Sequence, residues 1–126
     1  MTRMWCVPTE ILCDEHLRGE HAEHHQLVGT ILNHPHGEAI AGGHAEKGNI
    51  DTSRLEERHE ELAEEMEQRG FNHDSPLEYE GPSFGVGSID VSHNLADLVD
   101  RCADCNDNYQ KNLNSYRSYS GEVNSR

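Results

Sequence analysis

Two pairs of soft donors and a crowd of histidines are the residues of this chain best suited to chemistry. Cys13 and His16 stand three residues apart, and so do Cys102 and Cys105. Residues three apart on a helix share a face, so each pair presents two donors side by side. Brought together, the four match in number and type the ligands of a tetrahedral zinc. Cys6 offers a substitute for His16, which would free the imidazole for catalysis. The plainer reading has Cys102 and Cys105 as small residues on an inner stripe, and His16 hydrogen-bonding within a site. His21, His25, His44 and His59 form a second donor set that would suit a metal-dependent hydrolase; His21 and His25 are one helical turn apart. With 10 histidines in 126 residues, such coincidences arise easily. His34 and His36 sit in a Pro/Gly turn and are expected to face solvent.

Carboxylates join the histidines where an apolar stripe should run. Helical spacing from Leu17 leads to His21, His24, Val28 and Ile31, and a second line runs Leu12, His16, Glu23, Leu27. Burying such groups costs several kcal/mol unless they are paired or ligating, so the pattern suggests a site with Glu23 at its edge. A solvated polar helix with a narrow apolar seam would read the same way.

Three amphipathic helices must position these groups. Residues 1–8 form a short arm ending at Pro8, and Thr9 is placed to cap a helix from about residue 10 to 32. Pro35 disfavours helix at His34, and a Gly-rich linker follows to Gly48. Ser53-Arg54-Leu55-Glu56 reads as a capping box that opens a second helix, stopped at Gly70. Its inner line is Leu55, His59, Leu62 and Met66. Pro76, Pro82 and three glycines make residues 72–87 a loop, after which Ser92 caps a third helix to about Asn106. The expected fold is an all-α, three-helix single domain with long connections and an N-terminal arm, spanning residues 1–106. Residues 107–126, rich in Asn, Ser and Tyr, are expected to be a disordered polar tail.

Composition narrows the classes further. Two Phe and one Trp leave little for a core, so a bound metal would help so small a chain. No long apolar run and no charged-then-apolar leader is present, which implies a cytoplasmic protein whose four Cys are thiols or ligands rather than disulfides; a monomer is expected. The net charge of −14 runs against nucleic-acid binding. Either a DNA partner has been lost, or the protein works in a very salty cytosol, as halophilic proteins do. Molar salt shortens the Debye length to about 3 Å and screens repulsion from phosphate. Two Lys against eight Arg favour the saline reading, and a local basic patch could survive on an acidic body.

One family accounts for the polar residues together. Thr2, Arg3, Asp14, His16, Leu17, Glu20, Glu23 and Gly29 stand in the ungapped pattern of the pyrimidine-dimer DNA glycosylases of the UV-repair endonuclease V type. A second block, Gly43-His44, His59, Glu61-Leu62 and Arg69-Gly70-Phe71-Asn72, agrees in register; a weaker third is Ser88-Ile89, Ser92 and Leu95. The Met1-Thr2-Arg3-Met4-Trp5 start, Cys13-x-x-His16 and Arg101-Cys102-x-x-Cys105 resemble a shorter, diverged branch carried by phages. The resemblance implies an all-α fold and a DNA repair glycosylase with AP lyase activity on double-stranded, UV-damaged DNA, in a host cytosol if virus-encoded. It implies Thr2 as nucleophile through its α-amine once Met1 is removed, Glu23 as catalytic carboxylate, and Arg3 as a phosphate ligand. No cofactor is needed for that chemistry, so zinc at Cys13, His16, Cys102 and Cys105 would be structural. The chain departs from the family where two DNA-gripping arginines are replaced by Ala22 and Gln26, and Tyr109, Tyr116 and Tyr119 are too loosely placed to match its dimer-flanking aromatics. A non-catalytic zinc-binding module on the same scaffold is the main alternative.

Overall fold

The computed structural model describes residues 3–72 and 76–112. Among them the regular structure is all helical: α1 Asp14–Asn33, α2 Gly37–Glu46, α3 Leu55–Gln68, α4 Val91–Arg101 and α5 Ala103–Lys111, with single 3-10 turns at Thr9–Ile11 and Thr52–Arg54. No described helix is long and apolar enough to cross a membrane.

Five helices replace the expected three, for local reasons. Thr9 opens only the 3-10 turn, and its hydroxyl donates to Glu65 Oε1 at 3.3 Å instead of capping α1. Leu12 is extended, and Cys13 caps α1, its sulfur accepting the N–H of His16. The Gly-rich linker is helical and packs on α1. At its first residue only glycine fits: a Cβ on Gly37 would lie 2.0 Å from the Thr30 carbonyl oxygen. Asp90 takes the capping role expected of Ser92, while Asp51 caps the Thr52–Arg54 turn and α3 itself opens at Arg54 with no side-chain cap. The third helix breaks at Cys102, which is extended and caps α5 with its own sulfur. Helix α5 then runs through Lys111 and buries Tyr109, past the boundary expected at residue 106. Tyr116, Tyr119 and the rest of the tail lie outside the described residues.

The arm is the spine of the core. Trp5 and Val7 pack into one apolar cluster with Leu12, Leu17, Leu62, Leu95 and Leu98. Met4 and Cys6 pack into another with Leu27, Ile31, Ala41 and Ile50. Alternation of side chains along an extended segment thus sends successive residues into opposite halves of the molecule. A chain buried this way must have its backbone groups satisfied. Met4 N–H donates to the Asn49 carbonyl at 2.7 Å, and Trp5 N–H to Glu20 Oε2 at 3.2 Å. The Asn94 amide donates to the carbonyls of Met4 and Trp5 at 3.3 and 3.0 Å.

Beneath the arm, Glu20 on α1 and Arg58 on α3 form a bidentate pair at 2.8 and 3.0 Å, both side chains almost wholly buried. Arg58 also reaches Glu61 at 3.0 Å. Paired and hydrogen-bonded on both sides, neither charge is left bare in the core. Burial pushes the neighbouring Cys6 thiol up to about 12, so this cysteine stays a neutral, packed group. Cys6 is also the one non-glycine residue with positive φ among those described, at 57°.

Candidate active site

Glu23 and the arm meet on α1. The backbone N–H of Arg3 donates to Glu23 Oε1 at 2.9 Å, although 20 residues separate them. Glu23 is half-buried, and burial raises its carboxyl above the ordinary range, opposed by the Arg3 N–H. A carboxyl shifted in this direction is better suited to exchange protons near neutrality. Thr2, the expected nucleophile, lies outside the described residues.

Arg3 is more occupied than a free phosphate ligand would be. Its Nη1 pairs with Asp97 at 2.8 Å and its Nη2 donates to Asn94 Oδ1 at 2.7 Å. The guanidinium stacks 3.9 Å from the Trp5 ring centroid, and its buried Nε has no partner. Asp97, flanked also by Arg101 at 2.9 Å, is held below the usual carboxylate range by these two cations against the opposing effect of burial. A cleft of about 400 Å³ opens here, with Arg3, Lys47, His93 and Arg101 among its walls beside Asp90 and Asp97. On a chain of net charge −14, three of the ten Lys and Arg gather at one opening. Ala22 and Gln26 are both exposed on α1, so the missing arginines leave bare surface rather than a hole.

The two donor clusters fare differently. Cys13, His16, Cys102 and Cys105 converge, with one donor atom from each within 4.8 Å of the others. They do so without α4 lying along α1; instead α5 packs against the Thr9–Ile11 turn that leads into Cys13. Burial and the nearby sulfurs push the Cys105 thiol above its ordinary range, against the Cys13 N–H it accepts. Cys6 lies in the other core cluster and does not join the four. Of the second set, His21, His25 and His59 converge, with His25 Nε2 and His59 Nε2 3.2 Å apart; His44, on α2, is not among them.

His24, on the inner line that runs from Leu17 to Ile31, joins neither cluster. It is buried beside the core, its Nδ1 lies 2.8 Å from the Glu20 carbonyl oxygen, and its Nε2 has no partner. Burial holds its imidazole below the ordinary range. The buried partner of Glu20, Arg58, was missed in the sequence reading. Its signal was faint: one Arg next to His59, on the line facing α1.

A family model described as pyrimidine dimer DNA glycosylase matches residues 1–79. The chain belongs to this family, which makes it a DNA repair glycosylase. The matched span holds the arm, Glu20, Glu23, Arg58 and the Cys13–His16 pair, and stops short of α4 and α5. No curated protein and no solved structure matches the chain.

Proposed function

We propose that the protein excises damaged pyrimidines from double-stranded DNA and then cuts the strand, using the α-amine of Thr2. The carrying observation is the hydrogen bond from the Arg3 N–H to Glu23. That nitrogen is bonded to the carbonyl carbon of Thr2, and covalent geometry keeps the α-nitrogen of Thr2 within about 4 Å of it in any conformation. With Met1 removed, that nitrogen is a free amine beside a carboxylate. An α-amine titrates near 7.7–8.0, so a useful fraction is neutral where a lysine would be fully charged.

The amine attacks C1′ of the damaged nucleotide and expels the base, which leaves with a proton. Loss of the amine proton and opening of the sugar ring give a Schiff base at C1′. Glu23 stabilises the cationic sugar, then takes a proton from C2′, and the electrons of that bond expel the 3′-phosphate. Arg3 presents its peptide to Glu23 and its guanidinium to the cleft. Gripping a phosphate there means exchanging Asp97 for the DNA backbone, a charge-assisted pair for another. The pyrimidine dimer is the substrate the family's description supplies.

Borohydride reduces a Schiff base to a stable amine, so it tests the reading directly. Incubation with UV-irradiated or abasic duplex should give a covalent protein–DNA complex, and undamaged duplex should give none. Absence of a complex on both damaged substrates, with Met1 shown to be removed, overturns the reading. The convergence of His21, His25 and His59 favours one second reading, metal-dependent hydrolysis, because three imidazoles are the donor set of an open catalytic zinc site. It predicts strand cutting that chelators stop and borohydride never traps.

A further inference from the structure

The four donors at the junction of Cys13 and α5 have the dimensions of a metal polyhedron. Cys13 Sγ lies 3.9 Å from Cys102 Sγ and 3.2 Å from His16 Nδ1, and Cys105 Sγ lies 3.6 Å from the same His16 Nδ1. Zinc bonds of about 2.3 Å to sulfur and 2.0–2.1 Å to nitrogen, set tetrahedrally, require edges of about 3.8 Å between sulfurs and about 3.5 Å between sulfur and nitrogen. The two sulfur–nitrogen edges, 3.2 and 3.6 Å, bracket the second value, and the sulfur–sulfur edge of 3.9 Å lies close to the first. A disulfide would need its sulfurs about 2 Å apart, so the Cys13–Cys102 pair is far too open for one.

The surroundings suit thiolates as well as the spacing does. Each sulfur accepts one backbone N–H: Cys13 N donates to Cys105 Sγ at 3.3 Å, His16 N to Cys13 Sγ at 3.5 Å, and Cys105 N to Cys102 Sγ at 3.4 Å. Cys13 and Cys102 also cap the N-termini of α1 and α5, where unpaired N–H groups favour negative charge. Three thiolates and a neutral imidazole on a dication carry one net negative charge, and these donors and helix ends are placed to offset it.

We propose that Cys13, His16, Cys102 and Cys105 bind one zinc ion in a closed, structural Cys3His site. All four positions are filled by protein, so no place remains for a reacting water, and the metal plays no part in the excision chemistry. Its work is to fasten residues 13–16 to residues 102–105 across most of the chain. The imidazole of His16 meets the Trp5 ring edge-on at 5.9 Å, and Trp5 carries the Arg3 guanidinium. Helix α4, tied to α5 at Cys102, supplies the Asn94 and Asp97 that grip the arm. The zinc therefore holds the wall against which the arm is seated. Binding releases three thiol protons, one from each cysteine, to solvent.

The test is metal analysis of the full chain, purified without chelator. The expected result is one zinc per chain, displaced in proportion as three thiols are titrated with an organomercurial. Cobalt exchanged into the protein should show sulfur-to-metal charge-transfer absorption. Cys6→Ser should keep the zinc, while Cys102→Ser and Cys105→Ser should each lose it; thiol titration of the unaltered protein settles the matter should those variants not fold. The proposal is overturned by protein free of metal with four titratable thiols, by a Cys13–Cys102 disulfide, or by zinc that survives Cys102→Ser and is lost in His25→Ala. None of these readouts involves DNA, so the zinc and the Schiff base stand or fall separately.

Discussion

At the scale of single residues, Glu23 and His24 sit side by side on α1 and answer to opposite demands. In the proposed mechanism Glu23 needs its charge for the elimination step; in the structure it accepts the Arg3 N–H with one oxygen. Glu23→Gln keeps that acceptor and the shape, so melting should shift little while strand cutting falls by at least about 100-fold, the usual contribution of a positioned acid or base. Equal cutting by parent and variant would remove Glu23 from the mechanism. His24 is neutral and buried, with its folded pKa held below the ordinary 6.5. As pH drops through 6.5 the unfolded chain takes up a proton that the folded chain does not, so stability present above that pH is lost below it, down to the folded pKa. Melting temperature should therefore fall between about pH 7 and pH 5.5, beginning above the carboxylate range, and His24→Gln should flatten that limb. Helical spacing places Glu23 beside the apolar stripe, but only the family resemblance pairs it with the arm, where the structure puts the Arg3 N–H. The burial of His24 is legible from its place on the line from Leu17 to Ile31, but its bond to the Glu20 carbonyl is not, because a backbone partner leaves no mark in the sequence.

At the scale of elements, the sequence showed helix faces better than helix ends. The inner line Leu55, His59, Leu62, Met66 is buried throughout, as its spacing indicates. Helix α2 was hidden because Gly37, Gly42 and Gly43 weaken local helix propensity, and only packing on α1 decides the matter. Those glycines are not equivalent. Gly37→Ala drives a Cβ into the Thr30 carbonyl and should cost about 1–3 kcal/mol. A Cβ on Gly42 meets nothing within 4 Å, so Gly42→Ala should stabilise by about 0.5–1 kcal/mol. Denaturant melts of the two variants check this pairing; equal and small shifts would mean that α2 does not dock as described. The break at Cys102 was equally hard to see. Two cysteines three apart keep nearly the same spacing inside one long helix as at the cap and first turn of a second, and only the chain's path around the Thr9–Ile11 turn distinguishes the two.

At the scale of the whole molecule, acidity and a DNA partner have to be reconciled. Family membership argues against a lost partner, and the cleft gathers Arg3, Lys47 and Arg101, although Asp97 pairs with both arginines there. If the 24 acidic residues are an adaptation to salt, screening their mutual repulsion should raise the melting temperature steadily from low to molar salt. DNA affinity should fall only shallowly over the same range, since few phosphate contacts release few counterions. A melting temperature flat with salt would contradict the halophilic account. The cleft also sharpens the test of the central claim, because Lys47 is a second amine on its wall. The most direct measurement is mass-spectrometric mapping of the borohydride-reduced adduct on abasic duplex. We expect a chain lacking Met1 and a single sugar remnant on the α-nitrogen of Thr2. A remnant on Lys47, or trapping by a chain that keeps Met1, would contradict the account.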